Sequence, residues 1–101
     1  MSEEDHRHSR RIPFIQDVEI EGVGTTRCSD ISVGGLYLDT ISPFSEGQIL
    51  KIRFVLPDAP ALPIATEARV IYVHNNIGIG LAFVKMSPVD QERLKRFADA
   101  T

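Results

Sequence analysis

The segment Leu50-Lys51-Ile52-Arg53-Phe54-Val55-Leu56 decides the fold class. Leu50, Ile52, Phe54 and Leu56 alternate with Lys51 and Arg53, the period of two that marks a strand with one face buried and one in water. The same pattern recurs upstream, where Val18 and Ile20 alternate with Asp17, Glu19 and Glu21 across Phe14 to Glu21. Gly22-Val23-Gly24 then supplies a turn, and a second strand is expected from about Thr25 to Ile31. Leu36 and Leu38 mark a short third strand, ended by Ser42-Pro43.

Downstream, Pro57, Pro60 and Pro63 punctuate a loop. Ile64 to Val73 begins as alternation, with Glu67 and Arg69 facing out, and is apolar on both faces from Val70. Asn75-Asn76 offers a turn, because Asn tolerates positive φ. Ile77 to Val84 reads as a strand buried on both sides, in which Gly78 and Gly80 give way to close neighbours. Strands at this spacing without intervening helices predict an antiparallel sheet curled into a sandwich or a barrel. One helix closes the chain at about 88–99. Ser87 is its N-cap, Pro88 takes the first position, and Leu94, Phe97 and Ala98 form the apolar stripe.

A chain of 101 residues supports a single domain, with residues 13–101 forming the barrel and its helix and residues 1–12 an arm in front of them. That arm has little to bury as far as Ser9 and is expected to be mobile without a ligand. No apolar run approaches the roughly 20 residues of a membrane-spanning helix. Cys28 has no second cysteine to pair with, which suits a reducing cytoplasm, and it reads as a buried structural thiol. The net charge of −3 and the absence of Trp argue against a small barrel that binds RNA or single-stranded DNA.

Two clusters interrupt the strand pattern. Arg7, Arg10 and Arg11 fall within five positions, and guanidinium groups stack on flat rings, fork onto phosphates and reach the O6 and N7 of guanine. The bland alternative is a solvated basic tail. Asp30-Ile31-Ser32-Val33-Gly34-Gly35 ends a strand, with Asp30 and Ser32 two apart on one face and glycines that leave backbone amides open to a ligand. An ordinary turn, in which Asp30 and Ser32 satisfy local backbone groups, is the alternative there. His6, His8 and His74 lack metal-site spacing, and no nucleophile–base pair or paired carboxylates stand out, so neither a metal, a cofactor nor catalysis is expected.

The order and separation of the clusters resemble the PilZ domain family, bacterial receptors for cyclic di-GMP. An RxxxR arm is present as Arg7-His8-Ser9-Arg10-Arg11, and a [D/N]xSxxG turn as Asp30-Ile31-Ser32-Val33-Gly34-Gly35. Gly34-Gly35-Leu36-Tyr37-Leu38, Ala68-Arg69-Val70 and Ile77-Gly78-Ile79-Gly80-Leu81-Ala82-Phe83 are also similar to the family. The resemblance implies a six-stranded antiparallel β-barrel with a C-terminal helix. It implies a cytoplasmic, non-enzymatic receptor in which Arg7 and Arg11 clamp cyclic di-GMP against Asp30, Ser32 and Gly35. Arg10, inside the motif spacing, reads as solvated, with a spare phosphate contact as the alternative. An effector protein in trans would read the ordered arm. The chain departs from the family at His6, where many members carry another arginine, and near Tyr72, where a tryptophan is usual. A barrel that no longer binds nucleotide and acts through protein contacts is the second reading.

Overall fold

The structure, a computed structural model, describes residues 10–41 and 43–101. Six antiparallel strands, β1 (Ile12–Ile20), β2 (Gly24–Ser32), β3 (Gly35–Asp39), β4 (Ile49–Phe54), β5 (Ile64–His74) and β6 (Gly78–Val84), close a barrel in the order β1-β2-β3-β6-β5-β4. Closure leaves no sheet edge to template unwanted pairing. The inward residues are those that the alternation marked: Val18, Ile20, Leu36, Leu38, Leu50, Ile52 and Phe54 are all buried. β4 stops at Phe54, two residues short of the apolar alternation. Leu56 is fully buried although it lies beyond the strand, so burial there reflects the loop folding inward.

The helix α1 (Pro88–Asp99) follows its cap chemistry. Ser87 Oγ accepts from the Asp90 amide at 3.2 Å, and Pro88 occupies the first turn, where a missing N–H leaves no intrahelical bond unmade. Leu94 and Ala98 are buried, and the Phe97 ring meets Phe14 edge-on at 5.7 Å. Phe14 in turn meets Phe54 at 6.2 Å, so the helix seats on the start of β1 and the end of β4. No helix among the described residues is long and apolar enough to cross a membrane.

Gly22, Gly24 and Gly47 adopt positive φ, as does Asn76 at 63° in the turn where asparagine was expected to permit it. β1 begins at Ile12, two residues earlier than the alternation suggested, because Ile12 pairs with Ile31 and is itself buried. Ser42, half of the Ser42-Pro43 stop, lies outside the described residues.

Cys28 is fully buried and donates its S–H to the Asp30 carbonyl at 3.2 Å. Burial, reinforced by the nearby Asp30 charge, pushes the thiol up from its ordinary 9.0 to about 12. The unfolded chain therefore loses this proton well before the folded one does, and folding stability falls as pH rises from 9 toward 12. The slope from one such group is at most about 1.4 kcal/mol per pH unit. Melting the wild type and Cys28→Ala between pH 8 and 11 should show a visibly flatter decline for the variant. Parallel curves would mean that the thiol titrates alike in both states.

Candidate functional site

The site rests on two irregularities that local alternation does not reveal. Along β2, Cys28 pairs with Leu38 and Asp30 with Tyr37, so Ser29 is an extra residue without a counterpart on β3. Cys28 and Ile31 both point into the core, which unbroken alternation forbids for residues three apart. The bulge reverses the parity between them and turns Asp30 to the outside. The same device recurs on β5. There, Val70 pairs with Leu81 and Tyr72 with Gly80, leaving Ile71 unmatched. Ile64, Thr66, Ala68 and Val70 face the core, so without the bulge Tyr72 would be buried with them. Instead Tyr72 emerges and Val73 turns in to pack against the core. The expectation that Val70 to Val73 are buried on both faces is thereby corrected, since Ile71 is 45% exposed.

The consequence is an aligned row across four strands: Asp30, Tyr37, Gly80 and Tyr72. A second row beside it holds Ser32, Gly35, Ala82 and Arg69. Glycine and alanine in the middle make a shallow platform, about 14 Å wide from β2 to β5 at three interstrand spacings. Its rings lie close to the sheet. A Cβ on Gly80 would strike the Tyr72 ring, and one on Gly78 the Tyr37 ring, as expected of glycines that give way to neighbours. Tyr37 and Tyr72 have centroids 6.1 Å apart, and Tyr72 and His74 are 4.9 Å apart. Tyr37 Oη shares a 3.0 Å hydrogen bond with His74 Nδ1. Desolvation first, then the Tyr72, Asp39 and Asp30 charges, raise the Tyr37 hydroxyl above its ordinary value, so it is protonated at neutral pH.

Arg11 reaches Asp30 at the edge of this platform, with Nη1 2.8 Å from Oδ1 and both side chains about one third exposed (36% and 34%). The two motifs, 19 residues apart in sequence, thus meet in space. Arg7 lies outside the described residues. Ser32 is buried; its Oγ accepts from the Gly34 amide at 3.2 Å and faces the Gly35 carbonyl at 3.4 Å, which fastens the turn. The two glycines differ. At Gly34 a Cβ would meet nothing nearer than Ser32 Oγ at 3.9 Å, whereas at Gly35 it would collide with the Leu81 carbonyl. A side chain at Gly34 would find open space, but its amide is taken by Ser32 Oγ and its carbonyl accepts from the Phe83 amide at 2.9 Å, so neither backbone group is bare. Gly35 must be glycine because β6 presses against it.

Arg10 departs from expectation. The residue is exposed, yet its Nη2 donates to the Ala98 carbonyl at 2.6 Å, adding a charged donor to a helix-terminal acceptor that also takes the Thr101 amide at 3.3 Å. Tyr37, His74 and Arg69 complete the surface and were not singled out as site residues from the sequence. The one signal that pointed that way was Tyr72 standing near the family's usual tryptophan. A concavity of about 790 Å³ lies elsewhere, its charged lining made by Glu19, Glu21, Lys51, Arg53, Glu67 and Lys85. Its charges are matched among themselves, Arg53 with Glu19 at 3.5 Å and Lys85 with Glu67 at 3.9 Å, so it favours no particular ligand charge. Among the described residues no three His, Cys, Asp or Glu side chains converge as a metal set would.

The PilZ domain family model matches residues 5–100, nearly the whole chain. The chain belongs to the PilZ domain family. This PilZ domain is also similar to solved structures of others. It superimposes on the Bacillus subtilis inhibitor of motility MotI/DgrA with a TM-score of 0.81 and 24% identity, covering 89% of this chain and 47% of that one. It superimposes on Escherichia coli YcgR, solved in complex with c-di-GMP, with a TM-score of 0.73 and 17% identity, covering 90% of this chain and 43% of that one. The PilZ domain of CeSA from a cellulose-synthesizing bacterium matches with a TM-score of 0.59 and 26% identity, covering 87% of this chain and 92% of that one. The PilZ domain therefore spans less than half the length of the first two. No curated protein matches the sequence significantly.

Proposed function

We propose that this PilZ domain is a cyclic di-GMP receptor. The observation that carries the reading is the Arg11–Asp30 contact, which brings the RxxxR arm to the DxSxxG turn at the margin of an aromatic platform. The ligand offers two guanines and two phosphates. Arg11 and Arg7 supply forked cations for the phosphates and for guanine O6 and N7. Asp30 accepts from a guanine N1–H and N2–H₂ edge, which neither adenine nor a pyrimidine presents in that pattern. Ser32 and Gly35 hold the floor, and the missing side chain at Gly34 leaves room for close approach. A base can stack on Tyr72 and Tyr37 in the position that the departure from tryptophan left open, and Arg69 stands at the far corner for a second phosphate.

The output is binding, with no reaction. Engagement of the arm changes the surface that a partner protein meets, shifting a population between two states. YcgR, solved with this ligand, shares the fold and makes the reading concrete.

A thermal melt tests it. Ligand at about 100 times its dissociation constant should stabilise a one-site receptor by about 2.7 kcal/mol. At roughly 4–8 °C per kcal/mol for a domain of this size, the melting temperature should rise by roughly 11–22 °C, with GTP and cyclic di-AMP far less effective. No shift at millimolar cyclic di-GMP would overturn the receptor reading in favour of an adaptor that acts through protein contacts alone.

A further inference from the structure

Two adjacent arginines hold two different parts of the molecule. Arg11 grips Asp30 beside the platform, while Arg10 donates to the Ala98 carbonyl at the end of α1. In extended chain, neighbouring side chains leave the backbone on opposite sides, and Pro13 stiffens the segment just after them. The root of the arm is therefore a short bar with a hand at each side, and it cannot turn toward the platform without drawing on the helix. The helix is placed to respond. Side chains hold it to the barrel: Leu94 and Ala98 pack into the core, Phe97 lies against Phe14, and Arg93 Nη2 donates to the Leu62 carbonyl at 2.7 Å. Arg93 works near the first half of the helix. At the other end, Ala98 also accepts from the Thr101 amide and Thr101 Oγ1 donates to the Phe97 carbonyl, so Arg10 is a tie from the arm to a turn otherwise closed by its own C-terminal residues.

We infer that Arg10 is a positioning residue that couples the Arg11–Asp30 contact to the seating of the last turn of α1, making that turn part of the response to ligand. The inference rests on the cyclic di-GMP reading for its trigger but not for its linkage, which exists in the free protein. When Arg11 leaves Asp30 for a ligand, Arg10 shifts with it and the Ala98 carbonyl loses its charged donor, keeping only the Thr101 amide. The C-terminal turn then loosens, and the surface it contributes changes while the platform is occupied.

Amide hydrogen exchange across residues 94–99 reads the linkage directly. In the free protein, Arg10→Ala should speed exchange in this turn about tenfold, the loss of one charge-assisted hydrogen bond. Arg10→Lys, which keeps a cationic donor, should restore most of the protection. Asp30→Asn, far from the helix, should also speed exchange there, yet add nothing in the Arg10→Ala background. That non-additivity separates a coupling residue from one that merely stabilises the helix. If Asp30→Asn leaves the turn unchanged, or the two effects add, the inference is wrong. With saturating cyclic di-GMP, exchange in the turn should rise in the wild type and stay level in Arg10→Ala. Ligand that binds by thermal shift without altering the turn overturns the coupling and spares the receptor reading. Absence of binding, together with a positive Asp30→Asn result, overturns the receptor reading and spares the coupling.

Discussion

The Arg7→Ala/Arg11→Ala double variant is expected to bind cyclic di-GMP at least about a hundredfold more weakly than the wild type. Each guanidinium contributes hydrogen bonds between charged partners, and losing one such interaction costs about 1.5–3 kcal/mol. Two together cost about 3–6 kcal/mol, and 1.4 kcal/mol is a factor of ten in the dissociation constant. The fold should survive, because Arg11 and Asp30 are each about one third exposed and a pair of that kind contributes about 1 kcal/mol at most. The variant should therefore melt within about 8 °C of the wild type. Titration calorimetry alongside a melt separates the two effects. Wild-type affinity in a folded double variant would sink the arm clamp. Asp30→Asn should lose affinity too, because the amide cannot accept a guanine edge with both oxygens.

The largest effect on stability is expected at Gly35. Gly35→Ala places a methyl group against the Leu81 carbonyl, a backbone atom that no rotamer change can move aside. β3 and β6 must separate where Gly35 pairs with Ala82. Overpacking costs about 1–3 kcal/mol, and ladder hydrogen bonds lost in the separation add about 1 kcal/mol each. A loss of about 3 kcal/mol corresponds to a fall of roughly 12–24 °C in melting temperature. Gly34→Ala is the control, since open space surrounds that position and its φ is not in the left-handed region. It should melt close to wild type. If the two variants melted alike, the close approach of β6 would not be what demands glycine in this motif.

These expectations give the turn two separate jobs within six residues. Gly35 and the Ser32 hydroxyl shape the barrel, whereas Asp30 faces the arm. A motif read only as a ligand contact would assign Gly35 to recognition, and a motif read only as a turn would miss Asp30.

Strand positions were legible because burial alternates every two residues along β1 and β4, where the ladder is regular enough for Val18, Ile20, Leu50, Ile52 and Phe54 to face inward as their spacing requires. The helix was legible for a local reason as well: Ser87, Pro88 and Asp90 act on the first turn whatever lies around it. The two motifs were visible as residue types. Their partners were not. Arg10 looked like a solvated cation because the Ala98 carbonyl is 88 positions away, and no pattern in the arm announces it.

The sequence by itself determined the antiparallel strands, the closing helix and the two motifs whose chemistry the proposed function uses, since alternation, capping and guanidinium chemistry are all local. The tertiary structure alone decided which of those residues face one another. Ser29 and Ile71 became bulges because β2 and β5 must match the register of β3 and β6, and a one-residue slip moves every following side chain to the opposite face. Asp30 and Tyr72 came to share one outer row with Tyr37 and Gly80 for that reason, a long-range constraint that neither strand carries within its own residues.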